Sequence, residues 1–148
     1  SIFTHFPTEG GDTIEKGRLG EECARLNEIF DKVDKHSLVL LDESFSSTGS
    51  YEASYIASEV LTGLSIVGCR CLFSTHLHEL SAQIDEINAK CAVEGGVPID
   101  TLVAGINGAE RSFEITRAKP DGKSYARDIA DKYGLSYDKI MTRVKNKK

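Results

Sequence analysis

Four cysteines, Cys23, Cys69, Cys71 and Cys91, are scattered over 148 residues, and none forms a CxxC pair or joins histidines at zinc-finger spacing. That sets aside a structural zinc site. Cys69 and Cys71 fall on one face of a strand-like run, the placement of small core residues, and free buried thiols suit a reducing, cytoplasmic setting. No apolar run nears the ~18 residues of a membrane span; the longest, Leu38 to Leu41, is strand-sized. The first residues lack a basic segment followed by an apolar one, so no secretory leader is expected. They also lack a starting Met, and the chain is expected to be a processed product or an excised piece. Positive charge is short: 18 Lys and Arg against 23 Asp and Glu leave a net charge of −5. Binding to a phosphate backbone needs clustered cations. Only the tail from Lys139 to Lys148 is basic, and it reads as a solvated last helical turn. Internal repeats and low-complexity stretches are missing too.

What is there is a one-domain length with enough apolar residues, 40%, for a core. Leu19, Cys23, Leu26, Phe30 and Val33 recur at helical spacing and predict a helix over Lys16 to Lys35. Ser37 to Asp42 is an apolar run ending in acid, the pattern of a buried parallel strand. A polar turn from Ser44 to Ser50 follows, with Ser50 a candidate N-cap for a helix over Tyr51 to Leu64. Arg70 to Ser74 predicts a second buried strand and His78 to Ile87 a second crossover helix. Further along, Lys90 to Glu94, Ile99 to Val103 and Ser112 to Thr116 read as strands, with turns at Gly95-Gly96, Gly105 and Asn107-Gly108. Ser124 to Tyr133 and Ser136 to Lys145 read as two helices broken at Gly134. Alternation of strand and helix in the first part implies a parallel sheet with right-handed crossovers.

The strongest local motif is Leu38-Val39-Leu40-Leu41-Asp42-Glu43. Its carboxylates emerge at the C-terminal edge of a strand, where open α/β sheets place ligands. Asp42 can hold Mg²⁺, and Glu43 can polarise a water for attack on a γ-phosphate. One crossover further on, Leu72-Phe73-Ser74-Thr75-His76 is another strand ending in a hydroxyl and an imidazole. His76 is therefore expected beside Glu43 at the same rim, able to contact a γ-phosphate or position the water. His78 is expected to be packing or exposed.

The cradle for a triphosphate is what is missing. Gly122-Lys123-Ser124 imitates the end of GxxxxGK[ST], but the required first glycine falls on Arg117, and Pro120 removes a backbone N–H. Lys123-Ser124 is expected to start a helix instead.

In order along the chain, Leu40-Leu41-Asp42-Glu43, Ser46-Ser47-Thr48-Gly49-Ser50-Tyr51-Glu52, the Thr75-His76-Leu77-His78-Glu79-Leu80 string, and Lys123-Ser124-Tyr125-Ala126 with Gly134-Leu135 resemble the C-terminal ATPase domain of MutS-type mismatch-recognition proteins. The resemblance runs from about Ile2 to Ile140. It implies an α/β fold of the P-loop NTPase, ABC-ATPase type, incomplete: a partly parallel sheet with crossover helices, antiparallel strands and two C-terminal helices. Residues 1–148 would be the C-terminal half of that domain. Asp42 and Glu43 match the Walker B pair, for Mg²⁺ and for the catalytic base. His76 matches the switch histidine. Ser46, Ser47 and Thr48 match the loop facing a partner subunit. Gly17 and Arg18 match the signature region, which touches the partner's nucleotide. The last two helices match the segment that packs across the dimer. Two departures stand out. Leu19-Gly20-Glu21-Glu22 replaces the hydroxyl residues that follow Gly-Arg in the family, and Phe45-Ser46-Ser47 replaces its usual Gly-Arg-Gly.

The implied partners are ATP, Mg²⁺, a second MutS-like subunit and, through other domains, DNA; a membrane is not among them. The leading expectation is an ATP-hydrolysing switch module of a mismatch-repair protein, inactive as this chain alone. The alternative is a non-catalytic dimerisation or docking module on the same fold. An SMC-like ATPase head is a weaker third option.

Overall fold

A computed structural model describes residues 1–7, 17–107, 110–120 and 125–148. The elements are β1 (Ile2–His5), α1 (Gly17–Phe30), β2 (Leu38–Asp42), α2 (Ser50–Val67), β3 (Arg70–Ser74), α3 (His78–Ala82), α4 (Ile84–Val93), β4 (Leu102–Asn107), β5 (Glu110–Arg117), α5 (Tyr125–Lys132) and α6 (Tyr137–Asn146). They fall into two compact units, Ser1–Ile99 and Asp100–Lys148.

In the first unit, β1, β2 and β3 form a parallel sheet in that order, with Phe3, Val39 and Cys71 in one row and His5, Leu41 and Phe73 in another. These rows face the core. Val39 and Leu41 are buried against Leu26 and Ile29 of α1 and Ala53, Ala57, Leu61 and Leu64 of α2. Strand side chains alternate between faces. The opposite face therefore carries Ile2, Leu38, Leu40 and Leu72, and Ile2 and Leu72 are exposed. Parallel registry puts the C-terminal ends of all three strands at one edge.

Four local expectations need correcting. Lys90 to Glu94 is not a strand: it completes α4, whose Ile84, Ile87 and Cys91 reach the core at helical spacing. A five-residue apolar window is too short to show that period. Ile99 is not in a strand either. Both its backbone groups are taken at 2.8 Å by the Asn88 side chain, and β4 starts only at Leu102. Gly105 lies inside β4, not in a turn. It sits at a register irregularity, where a Cβ would strike the Ser112 hydroxyl across the ladder. Ser50 is the first residue of α2, and its hydroxyl donates to Glu79 Oε1 at 2.8 Å instead of capping; Gly49 occupies the cap.

The helix expected over Lys16 to Lys35 stops at Phe30, because the Asp34 carboxylate gathers the next turn, accepting from His36 N and Ser37 Oγ at 2.9 Å each. The segment expected as one helix after His78 is α3 and α4, parted at Gln83. In the second unit, β4 and β5 pair antiparallel up to Asn107–Glu110. The tip with Gly108 lies outside the described residues, as does Gly122-Lys123-Ser124. Helix α5 ends as anticipated at Gly134, in the left-handed region (φ 75°), with Leu135 N bonded to Ala130 O. No helix among the described residues is long and apolar enough to cross a membrane.

Candidate functional site

The acidic strand end and the histidine meet. β2 and β3 are neighbours, Asp42 is in register with Ser74, and Glu43 N donates to Ser74 O at 2.9 Å. The two chains leave the sheet together, and His76 Nδ1 lies 3.0 Å from Glu43 Oε1 and 2.8 Å from Oε2. A carboxylate only accepts, so Nδ1–H is the donor. Among the described residues, His76 Nε2 makes no hydrogen bond. The His76 side chain is 73% exposed and that of Glu43 32%. An exposed pair of this kind contributes roughly 0–1 kcal/mol to stability, so the fold does not require it.

Asp42 shares the face of Leu38 and Leu40 by strand alternation and is half-buried. Among the described residues its carboxylate has no hydrogen bond or ion pair, which leaves its oxygens available. Mg²⁺ is commonly held by one or two carboxylates plus the oxygens of a phosphate and water. Among the described residues no three His, Cys, Asp or Glu side chains converge. A single hard oxygen donor at the strand edge fits that mode of binding and not a protein-built cage.

Ser46 and Ser47 are exposed and Thr48 half-buried on the turn after Glu43, closed by Ser46 N to Glu43 O at 3.2 Å and Thr48 N to Phe45 O at 3.1 Å. Gly17 and Arg18 open α1 and are exposed, and among the described residues neither makes a hydrogen bond or ion pair to Glu43 or His76. His78 is exposed, and Thr75 Oγ1 accepts from Leu77 N at 3.1 Å to start α3.

Beneath the rim lies a buried polar layer that the sequence did not announce. His5, at the end of β1, is 1% exposed, and its Nδ1 lies 2.7 Å from Ser44 Oγ. Burial lowers the His5 pKa, and the positive charge of Arg25 lowers it further; backbone groups of Glu22 and His5 work the other way. Glu22 is 8% exposed and turns inward, where Oε1 accepts from Phe45 N at 3.1 Å. Its side chain is committed to the interior. Phe45 is 1% exposed, tilted against the His5 ring at 6.4 Å. Glu43 (φ 47°) and Phe45 (φ 67°) both adopt the left-handed region. For non-glycine residues this costs about 1–2 kcal/mol each. One sequence feature could have pointed here: Glu22 interrupts the apolar stripe of Leu19, Cys23 and Leu26.

A family model described as MutS domain V matches residues 1–144. Among curated proteins, an Endonuclease MutS2 from Caldanaerobacter subterraneus subsp. tengcongensis is 37% identical over 79% of the chain and 16% of its own length. A Staphylococcus aureus Endonuclease MutS2 is 31% identical over 95% of the chain and 19% of its length. One from Clostridium botulinum is 29% identical over 99% of the chain and 20% of its length. The chain thus spans a fifth or less of these relatives.

Proposed function

The chain belongs to the MutS family, as its domain V, and from that premise we propose that it is the Walker B and switch-histidine part of a cytoplasmic ATP-hydrolysing module in a protein that acts on mismatched or otherwise irregular DNA. The observation that carries the reading is the contact between Glu43 and His76 at the carboxyl edge of a parallel sheet, 2.8 Å apart in an exposed pair that stability does not need.

In this reading Glu43 accepts the proton of the attacking water. His76, tied to Glu43 through Nδ1, keeps Nε2 for the γ-phosphate or the water. Asp42 holds Mg²⁺, and the ion, when bound, neutralises charge building on the phosphate oxygens. Ser46, Ser47 and Thr48 face a second MutS-like subunit, and Gly17 and Arg18 reach that subunit's nucleotide. The 148 residues include no GxxxxGK[ST] sequence. The backbone N–H cradle and lysine that supply most triphosphate affinity must come from elsewhere, so this chain alone binds Mg-ATP weakly and turns none over. DNA contact belongs to other domains.

Glu43→Gln in the full-length protein tests the assignment. ATP binding stays within about threefold of wild type while turnover falls by roughly 10²–10⁴-fold, the usual contribution of a general base. Turnover at the wild-type rate removes Glu43 as the base; a wild-type full-length protein that hydrolyses no ATP leaves a dimerisation or docking module as the better reading.

A further inference from the structure

We propose that Glu22, with His5 behind it, is a positioning residue that sets the Glu43 carboxylate by clamping the strained turn from Glu43 to Phe45. The proposal rests on the ATPase reading of the rim.

The geometry starts from a backbone problem. Two non-glycine residues, Glu43 at φ 47° and Phe45 at φ 67°, take left-handed conformations within three positions. Such a turn persists only where its surroundings over-determine it. Three contacts do so here. The Phe45 ring is locked in the core. Ser44 Oγ, itself buried, is held 2.7 Å from His5 Nδ1 on the neighbouring strand. Phe45 N, a buried donor that must find an acceptor, is taken at 3.1 Å by Glu22 Oε1 from α1. Each anchor comes from a different element, and Glu43 lies one residue before Ser44 and two before Phe45.

A carboxylate is a costly acceptor for this purpose. Burying one costs several kcal/mol unless it is fully paired, and among the described residues Glu22 Oε2 has no hydrogen-bond partner. Among the described residues His5 Nε2 has no hydrogen bond of normal geometry either. If these positions only filled space, apolar residues would fill it better. Their polar atoms instead converge on the turn that aims Glu43.

Two measurements test this. Amide hydrogen exchange of Phe45 in this chain reads the clamp directly. Glu22→Met, matched in length but lacking the acceptor, exposes the Phe45 amide to exchange at least about tenfold faster, and Glu22→Gln, which keeps an acceptor oxygen, restores protection. In the full-length protein, Glu22→Met lowers kcat for ATP about tenfold or more with KM within about twofold, since a small misplacement of a reacting group is enough. Glu22→Gln recovers most of that loss. Unchanged exchange at Phe45 in a folded Glu22→Met, or a Glu22→Gln as impaired as Glu22→Met, overturns the proposal. If Glu22→Met does not fold, Glu22→Gln decides alone: near-normal exchange and kcat support the clamp, and large losses overturn it. A full-length protein that hydrolyses no ATP at all defeats the ATPase reading, while the exchange experiment still decides whether the clamp exists.

Discussion

Phe45 concentrates a local conflict. Its ring is buried among core residues, yet its backbone sits at φ 67°, where a Cβ is strained. Removing the ring costs about 3–5 kcal/mol of lost burial and cavity. Glycine in place of phenylalanine also releases roughly 1–2 kcal/mol of left-handed strain that alanine keeps. Phe45→Gly is therefore expected to be no less stable than Phe45→Ala, reversing the usual order in which glycine is worse by about 0.5–1 kcal/mol. Urea unfolding of both variants checks this, and a Gly variant clearly below the Ala variant refutes the strain assignment. The thiols make a contrasting residue-scale point. Desolvation, with a contribution from Cys69, pushes the Cys71 thiol up to about 12, and burial raises Cys23 and Cys69 as well. These cysteines are protonated packing groups at neutral pH, in line with the absence of metal-ligand spacing among them.

At the scale of elements, β1 shows what periodicity can and cannot reveal. Its four residues alternate Ile2, Phe3, Thr4, His5, too few to stand out, and it was not anticipated; yet its last residue anchors the turn beneath the rim. The central strands β2 and β3 were legible because burial on a parallel sheet demands apolar runs, and the motif acids and histidine sit at their ends. The end of α4, Lys90 to Glu94, reads as a strand in the sequence because its apolar positions become helical only when Ile84 and Ile87 are read together with Cys91. The buried layer of His5, Glu22 and Ser44 was illegible because polar residues in an apolar pattern read as surface until their partners are known.

The β1 anchor also carries a pH signature. His5 has its pKa lowered by burial and by the charge of Arg25, while backbone groups of Glu22 and of His5 itself raise it. The unfolded chain then takes up a proton near pH 6.5 that the folded chain resists. The contribution of His5 is intact above pH 6.5 and declines as pH falls below it. Unfolding free energy should drop between about pH 7 and 5 in the native sequence and drop less in His5→Gln. Equal slopes for the two chains contradict a neutral, buried His5.

On the scale of the whole molecule, a three-stranded parallel sheet covered by helices on one face presents its Asp42, Glu43 and His76 edge in a sequence that has no GxxxxGK[ST]. The chain matches a fifth or less of relatives several times longer. The central claim is that Glu43 and His76 act as one unit on ATP. The most direct measurement is a double-mutant cycle on kcat in the full-length protein, with Glu43→Gln, His76→Ala and both together. The account predicts that each single variant is slowed by about a hundredfold or more and that the pair is scarcely slower than the worse single, as for groups that share one step. Losses that multiply, or wild-type turnover in either single variant, contradict it.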